Sequence, residues 1–246
     1  MTPANIFLPR TLSLLRSSIS GDYLSAFVPV APASMSKLMT VYVLFSKLKD
    51  GTLSLEDVFS VSENAWRTGG AASGSSTMFL PIGSKVTVEN LIKGIIIQSG
   101  NDACIVAAEN IAGSEEDFAE LMNAKAKELG LKNSHFVNST GLPHPDHRMS
   151  AEDLARLAQA LIRDFPEYYS VFSQKSFTYN NILQGNRNPL LYSMPDADGL
   201  KTGHTAEAGF CLTASVKRGD RRLIGVMTGL KSNKERSEEA EKLMNW

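Results

Sequence analysis

Apolar residues recur at helical spacing through the first two-thirds of the chain, and the period then shortens to that of strands. Leu38, Val41, Leu44, Phe45 and Leu48 predict a helix that opens at Pro32-Ala33-Ser34 and runs to Asp50-Gly51. Leu91, Ile92, Ile95 and Ile96 predict a second over residues 88–98, with Thr87 as its cap. Ser99-Gly100-Asn101-Asp102 interrupts it, and residues 103–112 resume as a small apolar helix. Ser114 with Asp117 opens an amphipathic helix (Phe118, Leu121, Met122, Leu129) closed by Gly130. Ser150 with Asp153 opens another (Leu154, Leu157, Ala158, Leu161, Ile162, Phe165), stopped by Pro166. From residue 176 the pattern is strand-like. Residues 176–179 and 182–184 flank Asn180-Asn181, and residues 210–216 and 222–227 flank Lys217-Arg218-Gly219-Asp220, which predicts two hairpins. Residues 231–246 form a polar helix. Helices in the middle and strands towards the end, without regular alternation, predict an α+β fold on an antiparallel sheet.

Between these elements the pattern is weaker. Residues 1–31 have no clear period; residues 23–30 read as a short strand and 11–17 as a helix turn. Residues 52–57 are polar enough for a turn. Gly69-Gly70-Ala71-Ala72-Ser73-Gly74-Ser75-Ser76 is a run of small residues, which predicts a surface loop. Such a loop is either a plain connector or a rim that a substrate backbone can approach closely.

Composition narrows the function. With 246 residues, 43% hydrophobic and 21% charged, the chain buries a full core as one large domain or two small ones. A net charge of -1 argues against a nucleic-acid partner or a polybasic membrane anchor. No apolar run reaches membrane-spanning length. Arg16, Asp22 and scattered serines break up any signal-peptide core after Arg10. Cutting at the cleavage-like Ala31-Pro32-Ala33 would make Ser34 the first residue, so that site is rejected. Cys104 and Cys211 lack metal-ligand or redox spacing and read as buried free thiols. His135, His144, His147 and His204 form no ligand pattern, so no metal or other cofactor is expected.

Three stretches carry candidate chemistry. Ser34 and Lys37 lie three residues apart at a helix start, so hydroxyl and amine share a face. A lysine whose pKa is lowered by burial or a neighbouring cation can take the serine proton, and the helix start offers free N–H groups to an oxyanion. Alone, the pair is far more often a cap serine followed by a solvated lysine. Ser99-Gly100-Asn101 falls in the break between two apolar helices, where buried Ser and Asn side chains need partners. Asp198-Gly199-Leu200-Lys201-Thr202-Gly203-His204-Thr205 precedes the second hairpin. There Lys201 and Thr202 can line a strand edge, with Gly203 leaving room for a substrate.

Ser-x-x-Lys, Ser-x-Asn and Lys-Thr-Gly in that order resemble the serine-type D-Ala-D-Ala carboxypeptidases, the low-molecular-mass penicillin-binding proteins of the peptidase S11 family. The similarity runs from about Pro32 to the end. It includes Ser62-Glu63-Asn64-Ala65-Trp66, Gly74-Ser75-Ser76-Thr77-Met78-Phe79-Leu80, Gln98-Ser99-Gly100-Asn101-Asp102-Ala103 and Gly185-Asn186-Arg187-Asn188. The resemblance implies a β-lactamase/transpeptidase-like fold: an antiparallel sheet flanked by helices, plus an all-helical subregion. It also implies a peptidoglycan stem peptide as substrate, β-lactams as covalent inhibitors and a periplasmic or extracytoplasmic location. Ser34 is the implied nucleophile, Lys37 its base, and Ser99 the proton relay to the leaving amine. Asn101 would hold the substrate amide. Lys201 would keep Lys37 neutral and, with Thr202 and Arg187, engage the terminal carboxylate. The oxyanion would lie between the N–H of Ser34 and one near His204.

The chain departs from that family in two places. The hairpin expected ahead of Ser-x-x-Lys is missing or replaced, so residues 1–31 form an atypical segment before a catalytic domain at 32–246. Without a substitute, the strand at 222–227 would be an exposed apolar edge. The chain also stops at a helix the family continues past, so the domain reads as truncated at both ends, with no membrane anchor visible. Among rivals, a class A β-lactamase would carry Ser-Asp-Asn and a Glu-x-x-Leu-Asn motif, and neither is present. A truncated relic that binds cell-wall peptides without catalysis is the alternative outside enzymes.

Overall fold

The computed structural model describes residues 15–16, 23–24 and 26–245. Its axis is a turn of 3₁₀ helix, Ala33–Ser36, running straight into helix α1, Lys37–Lys49. The sequence predicts an apolar stripe on this helix. Instead Lys37 through Phe45 are buried without a break, so α1 is enclosed on every side. Asp50 and Gly51, with φ +78°, end it, and Thr52 donates back to Asp50.

Ahead of that axis, β1 (Leu15–Arg16) pairs with β2 (Tyr23–Leu24). At Leu15–Arg16 the chain is therefore a strand and not the expected helix turn; the rest of that predicted turn lies outside the described residues. Of the expected strand at 23–30, the described residues show Tyr23–Leu24 and an isolated bridge from Val30 to Met149. After α1, β3 (Val58–Ser60) pairs with β4 (Lys85–Thr87). Thr87 then caps α2, Val88–Lys93, which continues as a wider π turn over Gly94–Gln98. Helices α3 (Asn101–Ala112), α4 (Glu115–Glu128) and α5 (Ala151–Asp164) follow. The predicted caps hold: Ser114 accepts from the Asp117 N–H and Ser150 from the Asp153 N–H.

The run of small residues is not wholly a surface loop. Gly69 and Gly70 are buried, and a β-carbon on Gly69 would come within 2.5 Å of the Asp102 nitrogen. β5 (Ser176–Tyr179) and β6 (Ile182–Gly185) form the first predicted hairpin, with Asn180 and Asn181 both left-handed in its turn. After the short helix α6 (Leu190–Ser193) comes the main sheet, ordered β7 (Ala197–Thr205), β8 (Gly209–Arg218), β9 (Arg221–Leu230). Helix α7, Asn233–Met244, closes the described chain.

β8 is buried on both faces from Cys211 to Val216 because each face is covered. Leu200, Cys211 and Val226 join the core around α1, while Leu212, Ala214, Val216 and Met227 pack with Ala240 and Met244 of α7. The strand at 222–227 is not left as an exposed apolar edge, because β1 lies beside β9: Val226 and Met227 are buried, and Leu223 and Ile224 are half-buried. β7 is the edge strand at the other side, running past the Ala33–Ser36 turn.

Candidate active site

Ala33 precedes Ser34 with a left-handed φ of +48°, an uncommon conformation for a residue with a β-carbon. Gly141 braces it from outside. With φ +78° and no side chain, Gly141 comes so close that a β-carbon there would lie 2.1 Å from the Ala33 carbonyl oxygen and 2.6 Å from Ser36 Oγ. In the 3₁₀ turn, residues three apart eclipse, so Ser34 stands over Lys37. Lys37 Nζ donates to Ser34 Oγ at 2.8 Å, to Asn101 Oδ1 at 2.7 Å and to the Thr140 carbonyl at 2.5 Å. Lys37 is wholly buried. Burial pushes its pKa from 10.5 down to about 8, and the Arg187 charge adds in the same direction, against raising contributions from Cys104, Asp102 and Glu115.

Ser99 and Asn101 reach the site through the break between two helices. Ser99, with φ +64°, ends the π turn, and Asn101 begins α3. Asn101 is held on three sides: its N–H donates to the Ser76 carbonyl, Nδ2 donates to Ser75 Oγ at 2.9 Å, and Oδ1 accepts from Lys37. The third side of the site is β7. Gly203 leaves little room to spare, since a β-carbon would sit 3.0 Å from that of Ala33 and 3.2 Å from the Ser34 nitrogen. Lys201 is buried, with Nζ donating to the Thr202 carbonyl at 3.0 Å. Its pKa lies well below 10.5, chiefly through burial and then through the charges of Lys37 and Arg187.

Ser34, Ser99, Arg187, Thr202, Gly203 and His204 line one open cleft of about 590 Å³. Lys37 and Asn101 lie bonded beneath Ser34, so all three predicted stretches converge there. Burial is the first cause of the depressed Lys37 pKa and Arg187 adds to it, while the mutual repulsion of Lys37 and Lys201 lowers Lys201. Sequence reasoning missed several groups. Ser76 lines the cleft and accepts from Arg187 Nη1 at 2.6 Å. Arg236 of α7 faces the same space, 7% exposed, its guanidinium 5.7 Å from the Phe210 ring centre and its Nε buried without a hydrogen bond. Phe210 in turn lies 4.0 Å from the His204 ring. Nothing in a polar terminal helix singles out Arg236; a buried arginine is recognisable only once the fold is known.

Among the described residues no cluster of His, Cys, Asp or Glu is arranged to hold a metal ion. None of the described helices is long and apolar enough to cross a membrane. His147 is buried beside Phe136, away from the cleft lining, and Cys104 and Cys211 are buried free thiols.

The sequence profile of the D-alanyl-D-alanine carboxypeptidases, peptidase family S11, matches residues 25–232. The D-alanyl-D-alanine carboxypeptidase DacC of Escherichia coli strain K12 is 50% identical over 217 residues, which cover 87% of this chain and 54% of that protein. The chain thus spans about half the length of the curated relatives it matches. Penicillin-binding protein 5 from Haemophilus influenzae superposes with a TM-score of 0.86 at 41% identity, covering 92% of this chain and 67% of that one. The Streptomyces K15 DD-transpeptidase, at 27% identity, superposes with a TM-score of 0.82 over 92% of both chains.

Proposed function

The chain belongs to the peptidase S11 family, the D-alanyl-D-alanine carboxypeptidases, and from that premise we propose that it removes the terminal D-alanine from peptidoglycan stem peptides through an acyl-enzyme on Ser34. The observation that carries the proposal is Lys37 Nζ, buried and bridging Ser34 Oγ and Asn101 Oδ1 under a cleft that Ser99, Thr202 and Gly203 share. We read residues 32–246 as the catalytic domain, preceded by a distinct segment at 1–31, working outside the cytoplasmic membrane.

In the proposed reaction Ser34 Oγ attacks the carbonyl carbon between the two terminal D-alanines, and its proton passes to the neutral amine of Lys37. With a value of about 8, about one Lys37 in ten is neutral at pH 7. The tetrahedral oxyanion forms between the N–H of Ser34 and that of His204, on the strand pressed against Ser34 through Gly203. Lys37 returns the proton through Ser99 to the leaving nitrogen, the C–N bond breaks, and D-alanine departs. Water then cleaves the ester and regenerates Ser34. Asn101 orients the substrate amide. Thr202, Arg187 and Arg236 meet the terminal carboxylate, and two guanidiniums facing one cleft favour a ligand carrying a negative charge there. A β-lactam, whose strained amide mimics the scissile bond, would acylate the same hydroxyl.

Intact mass after incubation with benzylpenicillin tests the reading. The expected result is one adduct on the wild type and none on Ser34→Ala, whose fold is unchanged, together with D-alanine release from a peptide ending in D-Ala-D-Ala. An adduct on Ser34→Ala would overturn the nucleophile. Rapid benzylpenicillin turnover without D-alanine release would favour a β-lactamase. Absence of both adduct and turnover from folded protein would favour a non-catalytic relic.

A further inference from the structure

Asp102 is fully buried, and its carboxylate forms no ion pair among those found in the described residues. An unpaired buried carboxylate is costly unless hydrogen bonds stabilise it, and here four donors converge on it. Oδ2 accepts from Thr77 Oγ1 at 2.6 Å and from the Leu80 N–H at 3.1 Å. Oδ1 accepts from the Met78 and Ala103 N–H groups, both at 2.9 Å. Three of these donors belong to residues 77–80, a stretch without helix or strand whose Phe79 is held at φ +65°. Two glycines make room for this arrangement. A β-carbon on Gly100 would meet Asp102 Oδ1 at 2.9 Å and the Met78 nitrogen at 3.1 Å, and one on Gly69 would meet the Asp102 nitrogen.

The clamped stretch continues directly from Ser75 and Ser76. Those two serines hold Asn101 by its Nδ2 and its N–H, and hold Arg187 by its guanidinium. We propose that Asp102 is a positioning residue for acylation: it ties residues 75–80 to the start of α3, and through Ser75 and Ser76 it keeps Asn101 and Arg187 aimed at the cleft. Asp102 touches no reacting atom. The inference rests on the reading of Ser34 as the nucleophile and Asn101 as a substrate-orienting group. It also gives the middle residue of Ser99-Gly100-Asn101 a purpose, since any side chain there would press on the Asp102–Met78 contact.

The test is the second-order rate of benzylpenicillin acylation, followed by intact mass at a temperature where unfolding shows every variant native. Asp102→Asn is nearly isosteric and leaves an amide donor facing the Leu80 N–H, so it loosens the clamp without a cavity. Displacing an orienting group by about an ångström costs up to about a hundredfold in rate, so a loss of roughly tenfold to a hundredfold is expected. Because the effect travels through Asn101 and Arg187, adding Asp102→Asn to the pair Asn101→Ala and Arg187→Ala should slow acylation no further. If Asp102→Asn does not fold, Thr77→Val removes one donor and keeps the charge. It should slow acylation several-fold, whereas Thr77→Ser, which keeps the hydroxyl, should match the wild type. Native variants that acylate at the wild-type rate, or losses that multiply with those of Asn101→Ala and Arg187→Ala combined, would overturn the clamp and leave Asp102 a purely structural anchor. Failure of the wild type itself to form an adduct would instead overturn the function proposed for the site.

Discussion

In the proposed reaction Lys37 serves in two protonation states. Three acceptors surround its Nζ, which suits the ammonium, while the proposed attack by Ser34 needs the free amine. Complete burial brings the two within reach by lowering the pKa to about 8. The acylation rate should therefore rise with pH along a limb centred near 8, as stopped-flow or mass kinetics with a β-lactam would show. Arg187 is one of the charges that lower Lys37. Its removal in Arg187→Ala favours the charged amine, so the midpoint of that limb should move to higher pH, separately from any loss of carboxylate binding. A midpoint that stays put or moves down would refute the electrostatic coupling.

At the scale of elements, the site depends on backbones that approach more closely than side chains allow. Gly141 presses on the Ala33–Ser36 turn with a left-handed φ, so Gly141→Ala introduces both backbone strain and a clash with the Ala33 carbonyl. Destabilisation of at least about 2 kcal/mol is expected, together with slower acylation, because the turn that yields carries Ser34. Ser150→Ala is the contrasting case. It removes one cap hydrogen bond from α5, outside the cleft lining, and should cost about 1 kcal/mol while acylation stays at the wild-type rate. Urea denaturation alongside the acylation assay separates the two, and equal activity losses would show that the site senses stability in general rather than this contact.

Across the whole molecule, stability should depend on pH through His147. Its Nδ1 accepts from the Val137 N–H, its Nε2 is buried without a partner, and burial pushes its pKa from 6.5 down to about 4. Between those two values the unfolded chain binds a proton that the native state excludes. Stability is therefore retained above about 6.5 and is lost as pH falls towards 4, by on the order of 3 kcal/mol. His147→Gln should flatten that part of the curve of urea midpoint against pH. A slope unchanged from the wild type would assign the acid sensitivity to other groups. The loop that carries His147 also supplies the Thr140 carbonyl to Lys37, so acid loosening there is expected to reach the site.

Several local features were legible in the sequence: the capped helices, the Asn180-Asn181 hairpin, the order of the three motifs, and Ser34 set over Lys37. Each depends on residues a few positions apart, where period, cap chemistry and turn preference act directly on the chain. Tertiary structure alone decided what those features meet. The acceptors of Lys37 lie 64 and 103 positions away at Asn101 and Thr140, Arg187 reaches Ser76 across 111 positions, and Arg236 arrives from the far end of the chain. No local pattern encodes such pairings. The same holds for the enclosure of α1 and for the burial of both faces of β8, because an apolar residue states a preference for burial without naming the partner that provides it. The three motifs were in the sequence; the buried amine's pKa, the hydrogen bonds converging on Asp102 and the second arginine exist only where distant segments pack together.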